Sequence, residues 1–194
     1  MPNWCDNTFT LKGPTEKVNK IYQHYQKEGN LLDALYPPPK DMFEGNLGEK
    51  ERKECAEKGI PNWYDWQVSN WGTKWDVSLE GLEFIDNEDG TACITGWFES
   101  AWAPPIDAYN RFLDDMDNCS LEASYHEPGM DFAGFYTDGE EEHMDNLHDE
   151  YELPEELRSD LYKRLDDEYG LSDQFDQYDD DSEAWEEVEL DDEA

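Results

Sequence analysis

Apolar and polar residues alternate over Asn7-Thr8-Phe9-Thr10-Leu11-Lys12, the period-two pattern of a half-buried strand, and Gly13-Pro14 stops it. The period then lengthens. Val18, Ile21, Tyr22 and Tyr25 recur at helical spacing, with Thr15 placed to cap that helix and Gly29 to end it. A long irregular stretch follows, holding Pro37-Pro38-Pro39, a short charged helix near Lys50–Lys58 and an aromatic run from Trp63 to Trp75. Alternation returns at Asp76–Ile85 and Thr91–Ser100, on either side of Asn87-Glu88-Asp89-Gly90, which is a hairpin signal. Pro104-Pro105 opens a second helix with Ile106, Tyr109, Phe112 and Leu113 on one face, since proline at a first helical turn costs little. A strand at Ser120–Tyr125 leads through Pro128-Gly129 to Asp131–Tyr136. The order β-α-β-β-α-β predicts an α+β fold, a ferredoxin-like sheet with an insertion after the first helix at about residues 30–75.

After Asp138 the pattern changes. Pro154-Glu155-Glu156-Leu157 is expected to begin a helix whose Leu157, Leu161, Leu165 and Tyr169 form an apolar stripe, terminated by Gly170. Beyond it, Phe175, Tyr178, Trp185, Val188 and Leu190 punctuate an acidic run. An acidic tail by composition alone reads as disorder; the regularly placed aromatics predict ordered, mostly helical packing instead. The domain expectation is therefore 1–138 for the ferredoxin-like domain and 139–194 for an acidic, mostly helical extension.

Charge sharpens this division. The chain has 194 residues, 51 acidic and 14 basic, for a formal net charge of −37. Residues 1–130 carry 24 acidic and 11 basic side chains, and residues 131–194 carry 27 and 3, so one third of the chain holds about two thirds of the excess. Self-repulsion on this scale opposes compaction. It disfavours nucleic acid and anionic membranes and favours a basic protein surface as partner. Cys5, Cys55, Cys93 and Cys119 are too scattered for a zinc site or a disulfide framework. The opening shows no basic-plus-apolar leader and no apolar run is long enough for a membrane span, so the expected location is the cytoplasm of a bacterial host cell.

Four segments then form a recognisable set: Met1-Pro2-Asn3-Trp4-Cys5-Asp6-Asn7, Asn70-Trp71-Gly72-Thr73-Lys74-Trp75-Asp76, Ala101-Trp102-Ala103-Pro104-Pro105 and Asp131-Phe132-Ala133-Gly134. In that order they resemble the YubB-like proteins of phages and plasmids. The resemblance covers residues 1–137 approximately and implies a ferredoxin-like domain and a mobile-element origin. It implies no reaction, and the acidic region after Asp138 lies outside it.

Candidate chemistry is sparse. Trp71 and Trp75 flank the cation Lys74 and would serve either as a ligand platform or, the favoured reading, as buried anchors of the insertion, with Gly72 supplying a turn; Trp4 and Trp102 are read as structural in the same way. His143 and His148 are five apart and do not share a helical face as the pair in HExxH does. Neither Asp138–Asp149 nor Asp176–Glu187 has the oxygen spacing and central glycine of a calcium loop. No Ser-His-Asp order, P-loop or dinucleotide-binding glycine motif is present. The expectation is a non-enzyme without metal or cofactor.

What remains is the acid itself. Phosphates recur every ~3.4 Å of axis along each DNA strand, and carboxylates four apart on a helix lie ~6 Å apart along its axis. An ordered acidic segment therefore suits a DNA-binding groove. The expected partner-binding set is Glu140, Glu141, Glu142, Asp145, Asp149, Glu150, Glu152, Glu155, Glu156, Asp160, Asp166, Asp167, Glu168, Asp173, Asp176, Asp179, Asp180, Asp181, Glu183, Glu186 and Glu187, with Tyr178 and Trp185 as aromatic anchors. The expected function is DNA mimicry that inhibits a host nuclease, restriction or other DNA-binding defence complex. The alternative is a recruitment module using the tryptophan-rich insertion, with the acidic tail as a solubility device.

Overall fold

The structure, a computed structural model, describes residues 2–178. Asp179, Asp180, Asp181, Glu183, Trp185, Glu186 and Glu187 lie outside the described residues. Six strands, β1 (Trp4–Pro14), β2 (Glu80–Asp86), β3 (Thr91–Ala101), β4 (Ser120–Glu127), β5 (Phe132–Thr137) and β6 (Glu140–Asp145), form one antiparallel sheet in the order β2-β3-β1-β4-β5-β6. Helices α1 (Thr15–Glu28), α2 (Leu31–Leu35), α3 (Glu49–Lys58) and α4 (Trp63–Trp71) precede β2, and α5 (Ile106–Asp115) joins β3 to β4.

Side chains alternate across a strand, so β5 shows how both faces are filled. Tyr136 points into the larger core with Phe9, Leu11, Ile94 and Phe98 of the sheet and Val18, Ile21, Leu31, Leu35, Trp71 and Phe112 of the covering helices. Ala133 points the other way, into a second core with Leu147, Tyr162, Leu165 and Leu171. These come from α6 (Leu147–Tyr151), α7 (Asp160–Tyr169) and a helical run at 171–178.

Three sequence expectations change at this point. The boundary after Asp138 falls in the turn of the β5–β6 hairpin, where Asp138 and Gly139 both have positive φ. Residues 140–145 are a strand, not the start of a helical extension, and the segment that follows roofs the sheet. The helix expected from Pro154 begins only at Asp160, because the Ser159 hydroxyl accepts from Tyr162 N and caps it there (3.1 Å). Residues 155–157 form a 3-10 turn that leaves Leu157 66% exposed, outside the stripe.

Local differences upstream have similar causes. β1 runs into Pro14, so Thr15 is the first helical residue rather than a side-chain cap. The strand expected from Asp76 starts at Glu80, because the Asp76 carboxylate instead accepts from Leu32 N and Asp33 N (both 2.8 Å) at the start of α2. The aromatic run from Trp63 is helical as far as Trp71, started by Asn62 Oδ1 accepting from Asp65 N at 3.0 Å.

The roof is fixed by a polar line as well as by the second core. Tyr169 Oη donates to Ser124 Oγ (2.8 Å), and that oxygen is 2.8 Å from Thr8 Oγ1 and 3.2 Å from Glu168 Oε1. The ring of His126, buried on β4, lies 5.2 Å from that of Tyr169. Burial lowers the His126 pKa below 6.5, outweighing the opposing pull of Asp6, Glu127 and Asp131. A folded value below the unfolded one means that its contribution to stability is complete above pH ~6.5 and declines as pH falls. The imidazole resonances of His126 are expected to titrate below pH 6.5 in an NMR series; titration at or above that value would mean that the ring is not desolvated.

Candidate functional site

The described part of the acidic segment, residues 131–178, carries 17 carboxylates and three cations. Its cations are spent unevenly. Arg158 donates to Tyr151 O (2.6 Å), Leu153 O (3.1 Å) and Ser172 Oγ (3.2 Å), with its guanidinium over the Tyr151 and Tyr162 rings. Arg164 pairs with Glu142 (2.9 Å) and lies over the Phe135 ring. Both arginines are therefore held against their own chain, and Lys163 is exposed.

The expected partner-binding carboxylates divide into two groups. The first is engaged by the fold. Glu141 accepts from Tyr125 Oη (2.6 Å), Glu142 takes Arg164, and Asp145 is hydrogen-bonded to His143 Nε2 (3.1 Å). Glu150 accepts from Ser159 N (2.8 Å), and the serine's bonds lower its pKa. Asp166 accepts from Ser172 N and Oγ (2.6 and 2.7 Å), Glu168 from Ser124, and Asp176 from Tyr151 Oη.

The second group is Glu140, Asp149, Glu152, Glu155, Glu156, Asp160, Asp167 and Asp173, which are exposed like Glu141, Glu142, Asp145, Glu168 and Asp176 but are not tied by a side-chain hydrogen bond or ion pair among the described residues. Asp160 and Asp167 are seven apart on α7, hence on one side of it and ~10 Å apart along its axis. Asp160 suits the helix N-terminus, but Asp167 stands in the last turns, where the helix dipole disfavours an anion. Helix stability therefore does not account for it. The row on β6 has a structural use, since charge on an edge strand opposes pairing with another sheet, and β2 carries Glu80, Glu83 and Asp86 at the opposite edge. Tyr178, expected as an anchor, is 79% exposed.

The tryptophan motif separates in the same way. Trp71 is buried, with Nε1 donating to Tyr36 O (2.9 Å), and Gly72 ends α4 at φ +82°. Trp75 is 41% exposed rather than a buried anchor, and Trp4 and Trp102 are exposed too. Lys74 Nζ lies 3.7 Å from the centre of the Trp75 ring, and the Trp4 ring is tilted against it at 6.2 Å. The separated segments meet at this corner, because Thr73 Oγ1 donates to Ala101 O (2.9 Å) and Trp102 N to Asn3 O (3.0 Å). Trp102 is held at φ +74°, an unusual conformation for a bulky residue.

The Tyr125–Glu141–His143–Asp145 constellation escaped the sequence reading. It needs Gly134, above which the Tyr125 hydroxyl lies, 2.8 Å from His143 Nδ1. Burial, and then Glu141, push the Tyr125 pKa up, so the phenol serves as a buried tie between strands. Among the described residues no group of three His, Cys, Asp or Glu is placed to hold a metal ion, and no helix is long and apolar enough to cross a membrane.

Residues 71–166 match the family model described as a ferredoxin-like domain in Api92-like protein. The chain contains a ferredoxin-like domain. The matched span leaves out β1 and α1, and it crosses Asp138 to take in β6 and most of α7. Among solved structures, a crystal structure of protein api92 from Yersinia pseudotuberculosis aligns at a TM-score of 0.39 and 12% identity, covering 75% of this chain and 98% of that one. No curated protein matches.

Proposed function

We propose that the exposed acid of residues 139–178, carried on the ferredoxin-like domain, binds a basic DNA-binding protein of a bacterial host by presenting carboxylates where that protein expects phosphates. Such binding would inhibit a nuclease, restriction complex or other defence factor. It fits the phage or plasmid setting implied by the YubB-like opening motif, and no catalytic step is needed. The scaffold for this reading is a βαββαβ unit of β1 to β4 with α1 and α5, extended by the β5–β6 hairpin.

The observation that carries the proposal is the division of charges. Both arginines of the segment are turned onto their own chain, while eight exposed carboxylates are left without a side-chain hydrogen bond or ion pair among the described residues. Charges fixed on a folded surface bind without the entropy loss of ordering a flexible tail. Repulsion among them is relieved by a partner's cations, which makes the affinity steeply dependent on salt.

The test is capture from bacterial lysate at low and high salt, with bound DNA-binding proteins then challenged with duplex DNA. One variant neutralises the eight exposed carboxylates (Glu140→Gln, Asp149→Asn, Glu152→Gln, Glu155→Gln, Glu156→Gln, Asp160→Asn, Asp167→Asn, Asp173→Asn). A second adds neutral residues at Asp179, Asp180, Asp181, Glu183, Glu186 and Glu187. Truncation at Asp138 is unsuitable, because it strips the roof from His126 and Ala133. The expected result is a DNA-binding complex held by the native chain, displaced by duplex DNA and lost at high salt. Affinity should fall by on the order of 100-fold in at least one variant, as neutralising several ion pairs implies. Equal capture by all three chains would overturn the proposal and make the acid a solubility device. The exposed Trp4, Trp75 and Trp102 favour a second reading, recruitment through the tryptophan corner, and that outcome would select it.

A further inference from the structure

The tryptophan corner exposes more indole than the fold requires. Trp4, Trp75 and Trp102 are all exposed there, and so is Met130, which follows Gly129 where that glycine lies against Asn3. The backbone beneath them is fixed. Trp4 pairs with Ala101 across β1 and β3, Trp102 N donates to Asn3 O (3.0 Å), and Thr73 Oγ1 donates to Ala101 O (2.9 Å), so residues 73–75 and 101–102 lie side by side. An exposed cluster of large apolar side chains is the usual mark of a contact surface. Trp102 adds a second mark. A bulky residue at φ +74° is strained, and glycine would hold the same turn without strain, so the local fold does not account for the indole.

Lys74 gives the sign of what binds there. Among the described residues three basic side chains are half-buried: Lys17, Lys74 and Arg158. Lys17 donates to Asp117 O (2.7 Å), and Arg158 donates to three acceptors. Lys74 has no ion pair or hydrogen bond among the described residues; its Nζ lies over the Trp75 ring. The Asp76 carboxylate, two residues on, is committed to the N–H groups of Leu32, Asp33 and Val77. A chain with 51 acidic residues thus leaves this partly desolvated ammonium without a carboxylate, and an anion from outside would relieve it.

Two bounds narrow that anion. The net charge of −37 repels a polyanion. Lys74 covers one face of Trp75 and leaves Trp4, Trp102 and Met130 for an apolar group, so the ligand's charge must sit close beside its apolar part. A chain terminus whose last side chain is apolar meets both bounds. We propose that the tryptophan corner docks the C-terminus of a partner protein, its α-carboxylate paired with Lys74 and its last side chain against Trp4 and Trp102. The proposal rests on the second reading above, recruitment through this corner, and gives that reading its partner. The acidic face takes no part in it.

The test uses the full chain in about 0.15 M salt, where diffuse repulsion is screened beyond about 8 Å. The indole N–H resonances of Trp4, Trp75 and Trp102 are followed by NMR during titration with N-acetyl-phenylalanine and with its C-terminal amide. Saturable shifts are expected with both, the carboxylate binding at least ~10-fold more tightly, the scale of one charged hydrogen bond. Lys74→Met should remove that difference and leave binding of the amide unchanged. Trp102→Gly should weaken both probes ~5-fold, the scale of one aromatic contact, without lowering the denaturation midpoint, because it also removes the strain. Glu155→Gln with Glu156→Gln should change neither affinity. Equal binding of acid and amide to the native chain would overturn the proposal while leaving the corner an apolar recruitment surface; no saturable shift with either probe would overturn both. Tighter binding of N-acetyl-aspartyl-phenylalanine amide, or of adenosine 5′-monophosphate, would overturn it in favour of an internal acidic residue or a nucleotide.

Discussion

Gly134→Ala is expected to destabilise the protein by about 3 kcal/mol, the upper range for overfilling a packed site. A Cβ built at this position meets Tyr125 Oη at 2.3 Å and Cζ at 2.4 Å, and Glu142 O at 2.6 Å. Neither neighbour has an easy escape. The Tyr125 ring is fully buried and its hydroxyl is fixed between Glu141 and His143, while Glu142 O is backbone of β6. Relief requires β6 to move away or Tyr125 to leave its partners, which strands a buried phenol. The control is Gly139→Ala, where no atom lies within 4 Å of the added Cβ and only a φ of +97° opposes the change. That cost is of order 1–2 kcal/mol. Chemical denaturation of both variants decides the matter. If Gly134→Ala proves no worse than Gly139→Ala, the tie between β4 and β6 is softer than the packing indicates.

Leu165→Ala is expected to cost a similar ~3 kcal/mol, typical of a buried leucine whose cavity only partly collapses. Leu165 is fully buried in the core that joins α7 to Ala133 of β5, beside Tyr162 and Leu171. The more telling readout is where stability is lost. If the acidic segment is part of one cooperative unit, hydrogen-exchange protection should fall by roughly 100-fold in the slowest amides of β5 as well as in α7. If α7 loses protection while β5 retains it, residues 139–178 are an appendage after all. The neutralising variants above assume a shared unit, so this experiment should precede them.

Much of the fold was legible because its signals are short-range. The alternation in Asn7–Lys12, the helical spacing of Val18, Ile21, Tyr22 and Tyr25, and the hairpin around Asn87–Gly90 each declare an element within a few residues, and β1, α1 and the β2–β3 pair lie there. β6 could not be found this way. Glu140-Glu141-Glu142-His143-Met144-Asp145 has no apolar face, and it is a strand because it pairs with β5. Leu157 fitted a helical stripe on paper, yet Ser159 caps the helix two residues later and leaves it in solvent.

The candidate surface shows the same division. That the acid is concentrated after residue 130 follows from counting, and so does the expectation of a basic partner. The fate of each carboxylate does not. Glu141 is taken by Tyr125, sixteen residues away, and Glu168 by Ser124, forty-four away, whereas Glu155 and Asp167 are left without such a partner among the described residues. Likewise Trp71 and Trp75 look alike in sequence, and only the placement of α4 buries one and leaves the other at the surface. Periodicity, caps and net charge are properties of neighbouring residues and of totals, and a chain carries them before it folds. Strand pairing at an edge, the spending of individual charges and the space above Gly134 depend on residues that folding alone brings together.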